Sequence, residues 1–147
     1  MAPRTRTILV ERVPGAPSVP IPARATAGSA GFDLAAAEAA RLERGRITLV
    51  RTGLKMRCPP GTFLEVRPRS GLGARGVVMT NAPGTIDADF SGEVKVPLTY
   101  LLDGVYPIQV GDRIAQLRLV TEQPARFRAG RVLERTSRSG GFGSTGR

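Results

Sequence analysis

The stretch Glu93-Val-Lys-Val-Pro-Leu-Thr-Tyr-Leu101 alternates apolar Val94, Val96, Leu98 and Tyr100 with Lys95, Pro97 and Thr99. That is the two-residue period of a strand with one buried face. Pro97 has no amide hydrogen to give to a ladder, so this strand is expected at a sheet edge or with a bulge. Working outward, short apolar runs recur over Thr7 to Val10, Arg46 to Thr52, Leu54 to Arg57, Thr62 to Pro68, Val77 to Thr80 and Arg113 to Val120. Punctuation by 18 glycines and 12 prolines keeps every run short, which predicts an all-β chain rather than a few long helices. One segment points the other way. Leu34 to Arg44 holds Ala35, Ala36, Ala37, Ala39 and Ala40 with Glu38 and Glu43, and local propensity alone predicts a short helix there.

With 147 residues, 41% of them hydrophobic, the chain has the length and the apolar content of one domain with its own core. No apolar run approaches the roughly 18 residues of a membrane span, and Met1 to Arg12 holds no signal-like stretch. A cytoplasmic location without a membrane partner is the expectation. The absence of histidine removes Ser-His-Asp and Cys-His catalysis and His-rich zinc sites together, so a carboxylate is the expected general base. The aspartates are few: Asp33, Asp87, Asp89, Asp103 and Asp112. Cys58, the single cysteine, precedes Pro59-Pro60; it reads as a small buried residue after a strand rather than a nucleophile.

A formal net charge of +10 brings a polyanionic partner into consideration beside the plainer reading of a solvated Arg-rich surface. The 20 Arg and 2 Lys are spread along the chain, without a block of like charge and with only 5% aromatic residues for base stacking. A phosphorylated small molecule meets that charge, and nucleic acid is not required.

Four segments carry polar chemistry. In Arg67-Pro-Arg-Ser-Gly-Leu72 a strand ends in Arg69, Ser70 and Gly71, where a guanidinium fork, a hydroxyl and exposed amides suit phosphate oxygens, although Arg-Ser-Gly is also an ordinary turn. In Asn81-Ala-Pro-Gly-Thr-Ile-Asp-Ala-Asp-Phe-Ser-Gly-Glu93, Pro83-Gly84 and Ser91-Gly92 bracket a short hairpin. Asp87 and Asp89 share one face of it, and Phe90 takes the other unless a turn intervenes. A carboxylate beside bound phosphate can take a proton from water; a solvent-facing acidic hairpin is the alternative. In Gly111-Asp-Arg-Ile-Ala-Gln-Leu117, Ile114 and Leu117 read as core, and Asp112, Arg113 and Gln116 must find partners in one another or in a ligand. The last 13 residues hold four Gly, three Ser, two Thr, three Arg and Phe142. They bury too little to order alone, and they either wrap a nucleotide or form a plain disordered end.

Together with Ala27-Gly-Ser-Ala-Gly-Phe-Asp-Leu34, these segments resemble the five ordered motifs of the trimeric dUTPase family, in the family's order over residues 27 to 146. The resemblance implies an all-β, jelly-roll-like fold with one short helix at most, which overrides the local helix expectation for Leu34 to Arg44. It implies a β-domain over residues 1–134, a flexible C-terminal arm over 135–147 that closes over the site, and a homotrimer with shared active sites. The implied reaction converts dUTP to dUMP and pyrophosphate, lowering dUTP and supplying dUMP for thymidylate synthesis. Asp87 is then the base that activates water for attack at the α-phosphorus. Asn81, Thr85, Ile86 and Lys95 form a pocket that reads uracil largely through backbone groups, with Phe90 under the deoxyribose. Arg69, Ser70, Gly71 and Gln116 hold the triphosphate, and Arg138, Phe142 and Gly143 of the arm cover the nucleotide. Asp33 is implied near a phosphate-bound Mg²⁺, through water.

Three positions depart from the family pattern. Phe90 stands where tyrosine is usual, and Gly73 replaces a common alanine, loosening a short helix there by about 0.5 to 1 kcal/mol. Arg138-Ser139 replaces the usual Arg-Gly-x before Gly-Gly-Phe-Gly, so Arg138 is one residue out of register and Arg135 is a second candidate for the terminal phosphates. Two rival readings remain. A dCTP deaminase shares the fold and phosphate motif but is disfavoured by the Thr85-Ile-Asp-Ala-Asp-Phe90 hairpin and the glycine-rich arm. A basic nucleic-acid-binding or regulatory protein could use the same scaffold without turnover.

Overall fold

The computed structural model describes residues 5–16 and 18–133, and among them the chain is all-β. Strands β2 (Phe32–Ala35), β11 (Arg113–Thr121), β6 (Thr62–Arg67) and β8 (Gly84–Ile86) lie side by side in that order. A three-stranded sheet runs β4 (Thr48–Arg51), β9 (Lys95–Tyr100), β7 (Val77–Met79), and two ribbons pair β1 (Leu9–Arg12) with β5 (Leu54–Arg57) and β3 (Ala40–Glu43) with β10 (Val105–Ile108). Every one of these pairings is antiparallel. Side chains alternate as a strand's pleat requires. Along β6, Thr62, Leu64 and Val66 are buried while Phe63 and Glu65 are half-exposed. The inward faces of both larger sheets feed one apolar cluster, in which Leu34, Leu42, Val50, Leu54, Leu64 and Val96 are fully buried. Each such side chain contributes about 1.5 to 3 kcal/mol relative to exposure.

The only helix among the described residues is α1 (Ser70–Gly73), a single turn after β6, in keeping with one short helix at most. The alanine-rich segment is not helical, against its local propensity. Leu34, Ala35, Ala36 and Ala37 are at most 5% exposed, and their backbone bonds go to distant segments. Ala36 N–H donates to Asp112 C=O and Ala37 N–H to Arg51 C=O, both at 2.8 Å. The small side chains serve close packing between strands, and tertiary pairing outweighs intrinsic propensity.

The expectation for Pro97 is also corrected. Its strand, β9, lies in the middle of its sheet, with Pro97 opposite Leu49 and no register shift. Pro97 C=O accepts Thr80 N–H at 3.0 Å. A strand residue's nitrogen and carbonyl point to the same side, so the missing N–H faces the flank where β7 has already ended at Met79. The ladder loses there only the reciprocal bond to Thr80 C=O, just past the end of β7. The N-terminal strand is β1 at Leu9–Arg12 rather than Thr7 to Val10, and β3 and β10 had no distinct signal in the sequence. Among the described residues no helix is long and apolar enough to cross a membrane.

Candidate active site

Two free strand edges face each other beside the hairpin. Among the described residues, β8 is the last strand of its sheet, paired only with β6. β9 pairs with β4 from Lys95 onward, but β7 reaches it only at Leu98, leaving the flank at Lys95 to Pro97 open apart from the Thr80 bond. Between these edges lies a cavity of about 160 Å³, lined by Asn81, Thr85, Ile86, Asp87, Phe90 and Lys95. All six were singled out in the sequence. Unpaired backbone donors and acceptors on fixed strands give such a cavity a rigid hydrogen-bonding pattern.

The turn anticipated in the hairpin does intervene. β8 stops at Ile86, and Asp87 to Phe90 form a turn in which Phe90 N–H donates to Asp87 C=O at 3.2 Å. Asp87 is exposed at the cavity mouth, and the strand-face argument for Asp87 and Asp89 does not apply. Phe90 is 44% exposed, and its ring tip lies over Gly92: a Cβ added there would stand 2.7 Å from Phe90 Cζ. Glu93, also lining the cavity, was not singled out from the sequence, nor was Arg51, whose Nε donates to it at 3.1 Å. Only the three-dimensional pairing of β4 with β9 brings these two together.

The second group sits at the end of β6 where β11 and β2 cross. Asp33 lies opposite Gln116, which lies opposite Arg67. The Asp33 carboxylate, 13% exposed, is 3.3 Å from Arg69 Nε and accepts from Arg113 Nη1 at 3.2 Å. Arg69 Nη1 donates to Arg113 C=O at 3.2 Å. Arg69 is followed by α1, whose exposed Ser70 and Gly71 open the turn, where amides have no intrahelical acceptor. Two guanidiniums thus pair with one carboxylate beside Gln116, and the Ser70 hydroxyl and turn amides follow Arg69 directly in the chain. Arg113 belongs to this corner by geometry.

The two groups do not meet within one chain. β8 runs antiparallel to β6 with Ile86 opposite Leu64, so Asp87 continues toward Thr62 and Phe63, beside which it borders an open cleft. Arg69 lies beyond the opposite end of β6. From Phe63 to Arg67 alone the strand rise gives about 13 Å. Arg135, Arg138, Phe142 and Gly143 lie outside the described residues. Cys58 is buried, and burial pushes its thiol up from its ordinary value, which suits a structural and unreactive residue.

A family model described as dUTPase matches residues 18–146. Among curated proteins, the chain is 46% identical over 132 residues to deoxyuridine 5'-triphosphate nucleotidohydrolase of Helicobacter pylori, covering 88% of this chain and 91% of that one. The proteins of the same name from Methylocella silvestris and Solibacter usitatus are 45% and 40% identical, each over 95% of this chain and over 91% and 96% of their own. Among solved structures, the Staphylococcus bacteriophage 80alpha dUTPase with dUPNHPP superposes with a TM-score of 0.85 at 24% identity, over 97% of this chain and all of that one. A dUTPase mutant from phage phi11 of S. aureus, whose structure concerns coordination of a structural Mg(II) ion, gives 0.76 at 21% identity over 84% of this chain and 96% of that one. These two likenesses speak for the fold, and the sequence matches speak for the family: the chain belongs to the dUTPase family.

Proposed function

We propose that the protein hydrolyses dUTP to dUMP and pyrophosphate, with Asp87 as the general base. The observation that carries this reading is the exposed Asp87 carboxylate at the mouth of a cavity bounded by two free strand edges. Such edges can match the donor and acceptor pattern of a uracil edge and exclude a 5-methyl group by shape. In this arrangement Asn81, Thr85, Ile86 and Lys95 hold the base, and the Phe90 ring lies under the deoxyribose where a 2′-hydroxyl would crowd it. Asp87 takes the proton of a water aligned with the α-phosphorus, and pyrophosphate leaves on the opposite side.

Arg69, Ser70, Gly71 and Gln116 bind the triphosphate, with Asp33 orienting Arg69 and Arg113. These residues fit a magnesium ion carried in by the nucleotide rather than one caged by protein. Among the described residues no cluster of three carboxylate, Cys or His side chains could hold a metal. Asp33 Oδ1 is buried 3.3 Å from Arg69 Nε with no hydrogen bond between them, so a turn of Arg69 toward phosphate would free that oxygen to accept from a metal-bound water. Held through water by Asp33, such an ion would supply charge neutralisation to the triphosphate.

Because Asp87 and the phosphate corner lie at opposite ends of β6, a complete site needs the hairpin of one chain and the corner of another, as in a homotrimer with shared sites. Residues 135–147 are proposed to cover the nucleotide, with Phe142 over the base and Arg138 or Arg135 at the terminal phosphates. Pyrophosphate release from dUTP, dTTP, dCTP and UTP tests the reading, with strong preference for dUTP expected. Ammonia release from dCTP would replace it with deamination. Salt-dependent DNA binding with no turnover would replace it with a binding role.

A further inference from the structure

Glu93 borders the base cavity yet has none of the roles assigned above, and its side chain is only 12% exposed. Its oxygens close on the connection between β4 and β5. Arg51 Nε donates to both oxygens at 3.1 Å, and Gly53 N–H donates to Oε1 at 2.9 Å. A carboxylate withdrawn this far from water is costly unless its lone pairs are filled, and here a cation and a backbone amide fill them. Val94 extends the contact: its C=O accepts Thr52 Oγ1 at 2.6 Å, and its N–H donates to Leu54 C=O at 2.9 Å.

The anchor is itself fixed. Arg51 N–H donates to Glu38 Oε1 at 3.1 Å, and Arg51 C=O accepts Ala37 N–H at 2.8 Å. Gly53 has φ +68°, and a Cβ there would stand 2.9 Å from Ala16 Cβ and 3.1 Å from Ala37 Cβ, so the amide offered to Glu93 belongs to a position that requires glycine. The hairpin tip has no such support. Among the described residues, Asp87 to Gly92 make one hydrogen bond, that of Phe90 N–H to Asp87 C=O. The tip therefore takes its place from its two roots: Ile86 in the β6 ladder and Glu93 in the clamp.

We propose that Glu93 is a positioning residue for base recognition. Through Arg51 and Gly53 it fixes the second root of the hairpin, holding Asp87 and Phe90 at a set spacing from Lys95 across the cavity. The proposal rests on the dUTP reading, because its effect is read in nucleotide selectivity.

The test compares kcat/KM for dUTP and dTTP in wild type, Glu93→Ala and Glu93→Gln, beside inhibition by imidodiphosphate, which probes the phosphate corner alone. Loss of the clamp in Glu93→Ala is expected to raise KM for dUTP about tenfold and to lower the dUTP/dTTP ratio about tenfold, with imidodiphosphate inhibition unchanged. Glu93→Gln keeps the shape and one accepting oxygen and restores most of the ratio. The ratio does not depend on the fraction of folded enzyme, so lost stability cannot imitate the effect. If Glu93→Ala does not fold, Arg51→Met cuts the same clamp from its half-exposed side and must lower the ratio likewise. An unchanged ratio in the folded variants overturns the proposal, as does a ratio that falls only together with imidodiphosphate binding. A wild-type protein that does not turn over dUTP brings down the underlying reading and the proposal together.

Discussion

The base cavity is framed by backbone: two strand edges set by ladders, an apolar floor including buried Ile86 and Val94, and a hairpin tied at its roots. The proposed phosphate corner is framed by side chains: one carboxylate, Asp33, between Arg69 and Arg113, beside a single helical turn. Backbone edges move only if a sheet moves, so the first region is suited to discriminate among bases whose edges differ by one methyl or one amine. Guanidiniums held by ion pairs can turn toward a polyanion, so the second suits a triphosphate whose charge matters more than its outline. The β6 register that separates them also explains why each looks incomplete alone. Among the described residues, the cavity lacks a phosphate clamp and the corner lacks a base pocket.

That contrast can be broken most sharply at Asp87. Asp87→Asn keeps the outline of the turn and removes the base, so kcat is expected to fall by about 10² to 10⁴ while isothermal titration still finds dUTP binding. A nearly normal kcat would take Asp87 out of the reaction. A stop codon after Glu134 removes what is proposed to cover both regions at once. It is expected to lower kcat/KM for dUTP at least about tenfold, equivalent to about 1.4 kcal/mol, in a protein that still folds. Undiminished kcat/KM would confine the working site to the β-domain. Gly92→Ala should act on the base side alone and least. The added methyl must push the Phe90 ring aside, and the preference for dUTP over UTP is expected to narrow about threefold to fivefold, equivalent to about 0.6 to 1 kcal/mol. If the preference holds, Phe90 does not select the sugar.

The backbone-framed region was the more legible of the two in the sequence. Alternation over Val94 to Tyr100 and the Gly-bracketed hairpin mark strands and a turn by local rules, and the four residues expected around the base line one cavity with Asp87 and Phe90. Arg69 and Ser70 were legible as phosphate-type chemistry from their residue types, and Gln116 only through the family resemblance. Their partners were not, because the Asp33–Arg113 pair joins β2 to β11 across 80 positions of sequence. The same blindness hid Glu93 and Arg51, 42 positions apart. Local rules failed where tertiary pairing decides: the alanines of Leu34 to Arg44 pack as strand and loop, and Pro97 is tolerated in a middle strand because its neighbour stops short.

The most direct test of the account is complementation between the two regions. Asp87→Asn carries an intact phosphate corner and Arg69→Ala an intact hairpin; each alone is expected to be nearly inactive toward dUTP. Refolded together in equal amounts into randomly mixed trimers, they should recover about a quarter of the wild-type rate, because that fraction of sites pairs an intact hairpin with an intact corner from the next chain. Mixed trimers that form, as seen by light scattering and native mass spectrometry, but stay as inactive as their parents would contradict a site built from the hairpin of one chain and the phosphate corner of another.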